Sequence, residues 1–152
     1  HLDLLHQSQA DIILTPHVGE FARLVSQSKQ EIETKRIDIA HTFAVEFGVT
    51  LVLKGAPTVI ATRDGTVYIN STGNPGMATA GAGDVLSGII AGFAAQGCPA
   101  SHAACLGVYL HGLAGDHAKK QVGEYGLIAT DLLRSFAEVL RDITPPATRE
   151  GM

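Results

Sequence analysis

The chain lacks tryptophan altogether, is only 5% aromatic, and has two cysteines, Cys98 and Cys105. Two cysteines cannot build a disulfide scaffold, and their spacing is not that of a C-x-x-C zinc or redox pair. Both are expected to be buried small apolar side chains in a reducing cytoplasm. Basic residues are in the minority, 11 against 15 acidic ones, for a net charge of −4 and a pI of about 5.9. That argues against a nucleic-acid binder working through a basic surface. No apolar run approaches the ~18 residues of a membrane span. The longest candidate, residues 85–95, contains Ser87, Gly88 and Gly92. The first residues have neither the basic start nor the apolar stretch of a signal peptide. They begin with His1 instead of Met, so the chain is expected to be cut from something longer or processed.

What is present is a folding composition. Hydrophobic residues make up 45%, charged residues 17%, and mean hydropathy is +0.18, which excludes a disordered chain. The 152 residues are about one domain's worth. Such a length buries roughly two-thirds of its unfolded surface. Seventeen glycines point to tight turns and close backbone approaches instead of a helical bundle.

The pattern reads as α/β. Residues 11–15 form a short apolar run stopped by Pro16, expected to be a buried strand. Residues 19–25 read as a short helix. Ser28 with Glu31 makes a capping box opening one helix over 29–47, with Ile32, Ile39, Phe43 and Phe47 near one face and Gly48 as its stop. Residues 50–54 are a second buried strand. Strands at 58–62 and 66–70 flank Asp64-Gly65, a hairpin turn. A loop over 71–83 leads into a small-residue helix over 84–96 that ends at Gly97. A further amphipathic helix covers 101–119, and Thr130 is the expected N-cap of a last helix over 131–141. Pro145-Pro146 begins a polar tail within 144–152. No repeat or linker divides the chain, so 1–152 is read as one domain.

The loop Gly73-Asn74-Pro75-Gly76-Met77-Ala78-Thr79-Ala80-Gly81-Ala82-Gly83-Asp84 carries the chemistry. A helix N-terminus exposes N–H groups without intrahelical partners and carries roughly half a positive charge. Glycines in front of it let a phosphate approach closely. It is not a P-loop, since no Gly-Lys-Ser/Thr occurs, and Gly81-Ala82-Gly83 lacks the third glycine of a dinucleotide fingerprint. Asp84 has two readings. It is a first-turn helix acid, a common stabilising role, or a base that takes a proton from an attacking hydroxyl while the Gly81, Ala82 and Gly83 amides hold charge on a transferred phosphoryl group. Gly-Ala-Gly-Asp taken alone favours the first.

Three further stretches join this loop: Ile13-Leu14-Thr15-Pro16-His17-Val18-Gly19-Glu20, Val52-Leu53-Lys54-Gly55-Ala56-Pro57-Thr58, and Gly123-Glu124-Tyr125-Gly126-Leu127 followed by Ala129-Thr130-Asp131. In this order and spacing the set resembles the ADP-dependent NAD(P)H-hydrate dehydratases of the ribokinase-like superfamily. The resemblance spans nearly the whole chain but only the C-terminal half of that domain, with the N-terminus expected to be truncated. It implies a layered helix-sheet-helix fold. It also implies repair of the S form of hydrated NADH or NADPH: ADP with Mg²⁺ phosphorylates the ring hydroxyl, then phosphate leaves, giving AMP, phosphate and NAD(P)H.

The resemblance places Asp84 as base and Gly81, Ala82 and Gly83 as the phosphate cradle. His17 would touch the hydrated dinucleotide, though a lone histidine there would more simply cap a local turn. Val18 departs from the proline more usual in the family. Lys54, Gly55, Ala56, Pro57 and Thr58 would line the AMP portion; Lys54 pairs with a phosphate or merely ends a strand in solvent. Asn74 orients phosphate or metal, or is a turn residue before Pro75. Glu20 organises Mg²⁺ through water or is a first-turn acid, and the two are evenly weighted. His102, His111 and His117 do not have the spacing of a metal set; Met77 reads as packing and Lys119-Lys120 as a solvated pair.

Implied partners are small molecules, the hydrated dinucleotide and ADP, with ATP as the other nucleotide open. A homo-oligomer, tetrameric in form, and a fused or separate NAD(P)H-hydrate epimerase are implied too; nucleic acid and membrane are not. A truncated domain would leave residues 11–15 or 50–54 as an open apolar sheet edge. Two rivals stand: a ribokinase-like small-molecule kinase for a vitamin-precursor alcohol, and a non-catalytic nucleotide-binding fragment. A stable phosphorylated alcohol would mark the first, and ADP binding without turnover the second.

Overall fold

A computed structural model describes residues 2–144; the polar tail from Pro145 lies outside the described residues. The chain divides into two compact units, one of residues 2–71 and 87–109, the other of 72–86 and 110–144.

The first unit holds a four-stranded sheet in the order β1-β2-β3-β4. β1 (Ile13–Leu14) runs parallel to β2 (Thr50–Leu53), with Ile13 opposite Thr50. β2, β3 (Val59–Ala61) and β4 (Val67–Ile69) are successively antiparallel. The β3–β4 hairpin turns at Gly65, whose φ is +86°. Asp64 accepts there from the Thr62 hydroxyl at 2.5 Å and the Thr66 N–H at 3.0 Å, as the Asp-Gly pair predicts. All four residues of β2 are buried, because a strand covered on both faces must be apolar throughout. β2 pairs on both sides, so residues 50–54 are not an edge; β1 and β4 are the edge strands of the described sheet.

Four helices belong wholly to this unit. α1 (Asp3–Gln7) was not expected from the sequence; the Leu2 and Leu5 pair, three apart, packs it on the core. α2 (Val18–Val25) starts one residue earlier than expected. The single helix expected over 29–47 is two, α3 (Lys29–Thr34) and α4 (Arg36–Phe47). The break is at Lys35, with φ −120° and ψ 31°. Just before it the Thr34 hydroxyl donates back to the Gln30 carbonyl at 2.8 Å, a bond that competes with helix continuation. The Ser28–Glu31 capping box forms as expected, and Gly48 ends α4 in the left-handed region. Ile32 and Phe43 are buried and Ile39 and Phe47 pack against the same core. Phe21 lies at its centre, fully buried and edge-on to Phe43 with centroids 5.1 Å apart.

α5 (Ala82–Ala95) and α6 (Ala100–Val122) each contribute to both units. α5 begins two residues before the expected Asp84, and α6 runs three beyond Lys119. Within the first unit, Gly107 of α6 lies against Ile90 of α5, whose Cγ1 would sit 2.5 Å from an added Cβ. The second unit has a smaller core of Ala82, Ala118, Leu127 and Leu132, with Met77 and Val85 beside it. α7 (Ala129–Ile143) closes it. Thr130 is not its N-cap: the cap is Ile128, whose N–H donates to the Asp131 carboxylate at 3.1 Å. Asp131 is three residues into the turn and reaches that N–H, so the helix begins earlier. Cys98 and Cys105 are free and half-buried, not fully buried as expected; burial pushes the Cys105 thiol upward.

Removing the Phe21 ring leaves a cavity that the surrounding sheet and helices cannot fill. Phe21→Ala should lower unfolding free energy by about 3–5 kcal/mol, measured by urea denaturation.

Candidate active site

The parallel ladder continues past β1. The Lys54 N–H donates to the Pro16 carbonyl at 2.9 Å, and His17 bridges to Lys54. Strand pairing therefore brings His17, Lys54 and Glu20 together at the strand ends. His17 is the N-cap of α2. Its backbone N–H donates to Glu20 Oε2 at 2.8 Å, while Glu20 N–H donates to His17 Nδ1 at 3.1 Å. Nδ1 is thus an acceptor and Nε2 carries the proton of the neutral ring. Nε2 lies 3.4 Å from Glu20 Oε1. An alanine at Gly19 would place its Cβ 3.0 Å from His17 Cε1, so glycine there makes room for the capping ring. The turn-capping role holds for this histidine, and its side chain is still 55% exposed.

The donated His17 N–H holds the Glu20 carboxylate below the usual range, helped by the charges of Lys54 and Arg23. Burial opposes this, by more than either charge helps.

Gly55, Ala56, Pro57 and Thr58 form an exposed loop after β2, with a cis peptide at Ala56-Pro57. The Thr58 hydroxyl donates to the Gly55 carbonyl at 3.1 Å and closes it. Arg36 supports it from α4, donating to the Pro57 carbonyl at 2.6 Å and to Glu33 at 2.5 Å. Its guanidinium lies against Gly55, with Nη2 2.5 Å from where a Cβ would stand. Sequence reasoning missed Arg36, because nothing in its local pattern distinguishes it from a solvated helix cation.

The second unit holds the other predicted residues. Asn74 caps a 3-10 turn, Pro75–Met77, accepting the Gly76 N–H at 3.1 Å. Its amide donates to Asp116 Oδ1 at 3.0 Å. Gly81 has φ +85°, and an added Cβ there would stand 3.2 Å from Ala129 Cβ. Gly81 thus makes the turn into α5, and its carbonyl accepts the Asp84 and Val85 N–H groups, both at 3.1 Å. The Ala82 N–H donates to the Thr79 carbonyl at a long 3.3 Å. Asp84 is the third residue of α5 and exposed, and among the described residues its carboxylate accepts no hydrogen bond.

His111 is buried, His102 is exposed, and His117 Nδ1 lies 3.1 Å from Glu138. Among the described residues no three His, Cys, Asp or Glu side chains converge on one point. Met77 packs against Gly115, and Lys119 pairs with Glu124.

The fold is of the ribokinase-like α/β class. A ribokinase-like superfamily protein of Enterococcus faecalis superposes with a TM-score of 0.77 at 32% identity, over 95% of this chain and 51% of that one. Within that class the chain belongs to the NAD(P)H-hydrate dehydratase family, whose Carb_kinase model matches residues 1–137. It is 55% identical over 132 residues to the bifunctional NAD(P)H-hydrate repair enzyme Nnr of Moorella thermoacetica, covering 87% of this chain and 25% of that protein. The ADP/ATP-dependent NAD(P)H-hydrate dehydratase of Bacillus subtilis, crystallised with ATP and Mg²⁺, matches at 36% identity and a TM-score of 0.83. There the match covers 87% of this chain and 49% of that one. The chain therefore spans a quarter to a half of the length of these relatives.

Because its folded pKa is depressed, Glu20 stabilises the fold above the ordinary glutamate value, and the effect is lost as pH falls through the folded value. The stability gap between wild type and Glu20→Gln should therefore be open at neutral pH and closed near pH ~2, read by denaturation at each pH.

Proposed function

We propose that this chain forms the nucleotide and phosphoryl-transfer part of an ADP-dependent dehydratase for the S form of hydrated NADH or NADPH. The observation that carries the reading is Asp84: an exposed carboxylate in the first turn of a glycine-led helix, with no hydrogen bond to hold it among the described residues. A first-turn acid serving only the helix would do so through the dipole alone. A carboxylate at a glycine-led helix start is also placed to take a proton while the amides of that start hold negative charge.

In this reading Asp84 accepts the proton of the ring hydroxyl. The hydroxyl oxygen attacks the β-phosphorus of ADP, the bond to the bridging oxygen breaks, and AMP leaves. The Gly81, Ala82 and Gly83 amides hold the charge spread over the transferred oxygens; the long Ala82 bond to Thr79 is weak enough to be exchanged for a phosphate oxygen. Phosphate then departs from the ring, a neighbouring ring proton is lost, and the double bond returns. Hydroxide is a poor leaving group and phosphate a good one, and the ring nitrogen lone pair assists its departure.

Lys54, Gly55, Ala56, Pro57 and Thr58 line the AMP portion, and Asn74 orients phosphate. His17 contacts the hydrated dinucleotide through the exposed part of its ring. Mg²⁺ is ordinarily held by substrate phosphates, water and one or two carboxylates. Glu20 Oε2 takes the His17 N–H and Oε1 lies 3.4 Å from His17 Nε2, and the remaining lone pairs of Oε1 would reach Mg²⁺ through water; the ion would neutralise phosphate charge. ATP serves as an alternative nucleotide. We take residues 1–152 as one partial ribokinase-like domain with a polar tail from 144, acting in the cytoplasm as a homo-oligomer, tetrameric in form. A fused or separate epimerase would supply the S form, a pairing supported by the bifunctional name of the Moorella relative.

The test is recovery of reduced-nicotinamide absorbance from hydrated NADH with Mg²⁺ and ADP. Asp84→Asn should lower the rate about 10²–10⁴-fold. Full activity in that variant would overturn the assignment of the base. ADP binding without NADH recovery, even with the missing part of the domain supplied, would mark a nucleotide-binding fragment. A stable phosphorylated alcohol would mark a small-molecule kinase.

A further inference from the structure

We propose that Asp116, on α6, is a positioning residue that holds Asn74 and the Gly73 amide in the arrangement that meets the phosphates of a nucleoside diphosphate. The proposal rests on the nucleotide reading above. Asp116 Oδ2 accepts the Gly73 N–H at 2.9 Å and Oδ1 accepts the Asn74 amide at 3.0 Å. At its other end Asn74 Oδ1 accepts the Gly76 N–H at 3.1 Å. The Asn74 side chain is therefore gripped at both ends, and its orientation has one solution: the carboxylate requires the NH₂ group and the Gly76 amide requires the oxygen. One N–H of that NH₂ group goes to Asp116, and the second is the donor Asn74 would offer a ligand phosphate.

An independent observation places the loop on the same helix face. Gly112, Gly115 and Asp116 lie at i, i+3 and i+4 on α6 and share one side of it. Thr72 presses on Gly112, its carbonyl carbon 2.8 Å from where a Cβ would be, and Met77 Cγ lies 2.7 Å from the corresponding point on Gly115. The two glycines let the loop lie against the helix backbone, and Asp116 fastens it there. A loop with glycines at 73, 76, 81 and 83 is costly to order. Hydrogen bonds to a charged acceptor are about twice as strong as neutral ones, which suits that task. Both carboxylate oxygens are occupied by donors from the loop. Asp116 thus acts through Asn74 and makes no contact of its own with the ligand.

The experiment is calorimetric titration of ADP with Mg²⁺ into the full chain as wild type, Asp116→Ala, Asp116→Asn, Asn74→Ala and the Asp116→Ala/Asn74→Ala double variant. Thermal melts run on each, and Gly73 amide exchange is followed by NMR. Misplacement of a positioned group costs up to ~10²-fold, so Asp116→Ala should weaken ADP binding about 10–100-fold and speed Gly73 exchange. Asp116→Asn keeps one acceptor and should fall between it and wild type. The double variant should bind within about twofold of the weaker single one, since coupled residues are not additive. If Asp116→Ala melts lower yet binds ADP as wild type does, or if the two losses add, the positioning role is overturned. Where Asp116→Ala fails to fold, unchanged ADP affinity in Asp116→Asn overturns it equally. Absence of ADP binding in the wild type is a different result, seen in that arm alone, and it overturns the nucleotide reading itself.

Discussion

The parallel pairing of β1 with β2 is the constraint on which the first unit is built. A parallel ladder makes both strands end on the same side, and in open α/β sheets ligands gather at those carboxyl ends. Here the ladder carries on through the Pro16 carbonyl and the Lys54 N–H, so the two chain exits are side by side. One exit becomes the His17 cap and α2. The other becomes the Gly55–Thr58 loop, braced from behind by Arg36. Burial of β2 on both faces and the Phe21–Phe43 contact hold this platform still.

The second unit meets a similar need by other means. A loop with so many glycines has little intrinsic preference for one conformation. It is fixed by charge and by close contact, through Asp116 and the bare backbone of Gly112 and Gly115. Both candidate loops thus have a charged side chain of a neighbouring helix bonded to them. In each case the charged group lies behind the residues assigned to ligand contact.

The α/β character, the four strands, the hairpin at Asp64-Gly65, the Ser28–Glu31 box and the Gly48 stop were legible because each depends on residues within a few positions. The same holds for the glycine-led start of α5, although it begins at Ala82 instead of Asp84. The break at Lys35 was not legible: residues 29–47 have one continuous helical period, and the Thr34 back-bond beside the break leaves no mark in it. The cap of α7 was misplaced because Thr130 looks like a cap by type, whereas the Asp131 carboxylate selects Ile128. Of the candidate site, the residue types and their order stood in the sequence; the dual bond of Glu20 with His17 and the supports from Arg36 and Asp116 did not.

By itself the sequence determined the fold class and the family motifs, because these follow from local pattern and from order along the chain. Tertiary structure alone decided which strands lie at the edges of the described sheet and which carboxylates are tied to loop N–H groups. Those outcomes depend on partners far away in the chain, such as Pro57 for Arg36 and Gly73 for Asp116. Hydrogen bonds of that kind are set by where the backbone brings distant groups, and no local periodicity encodes them.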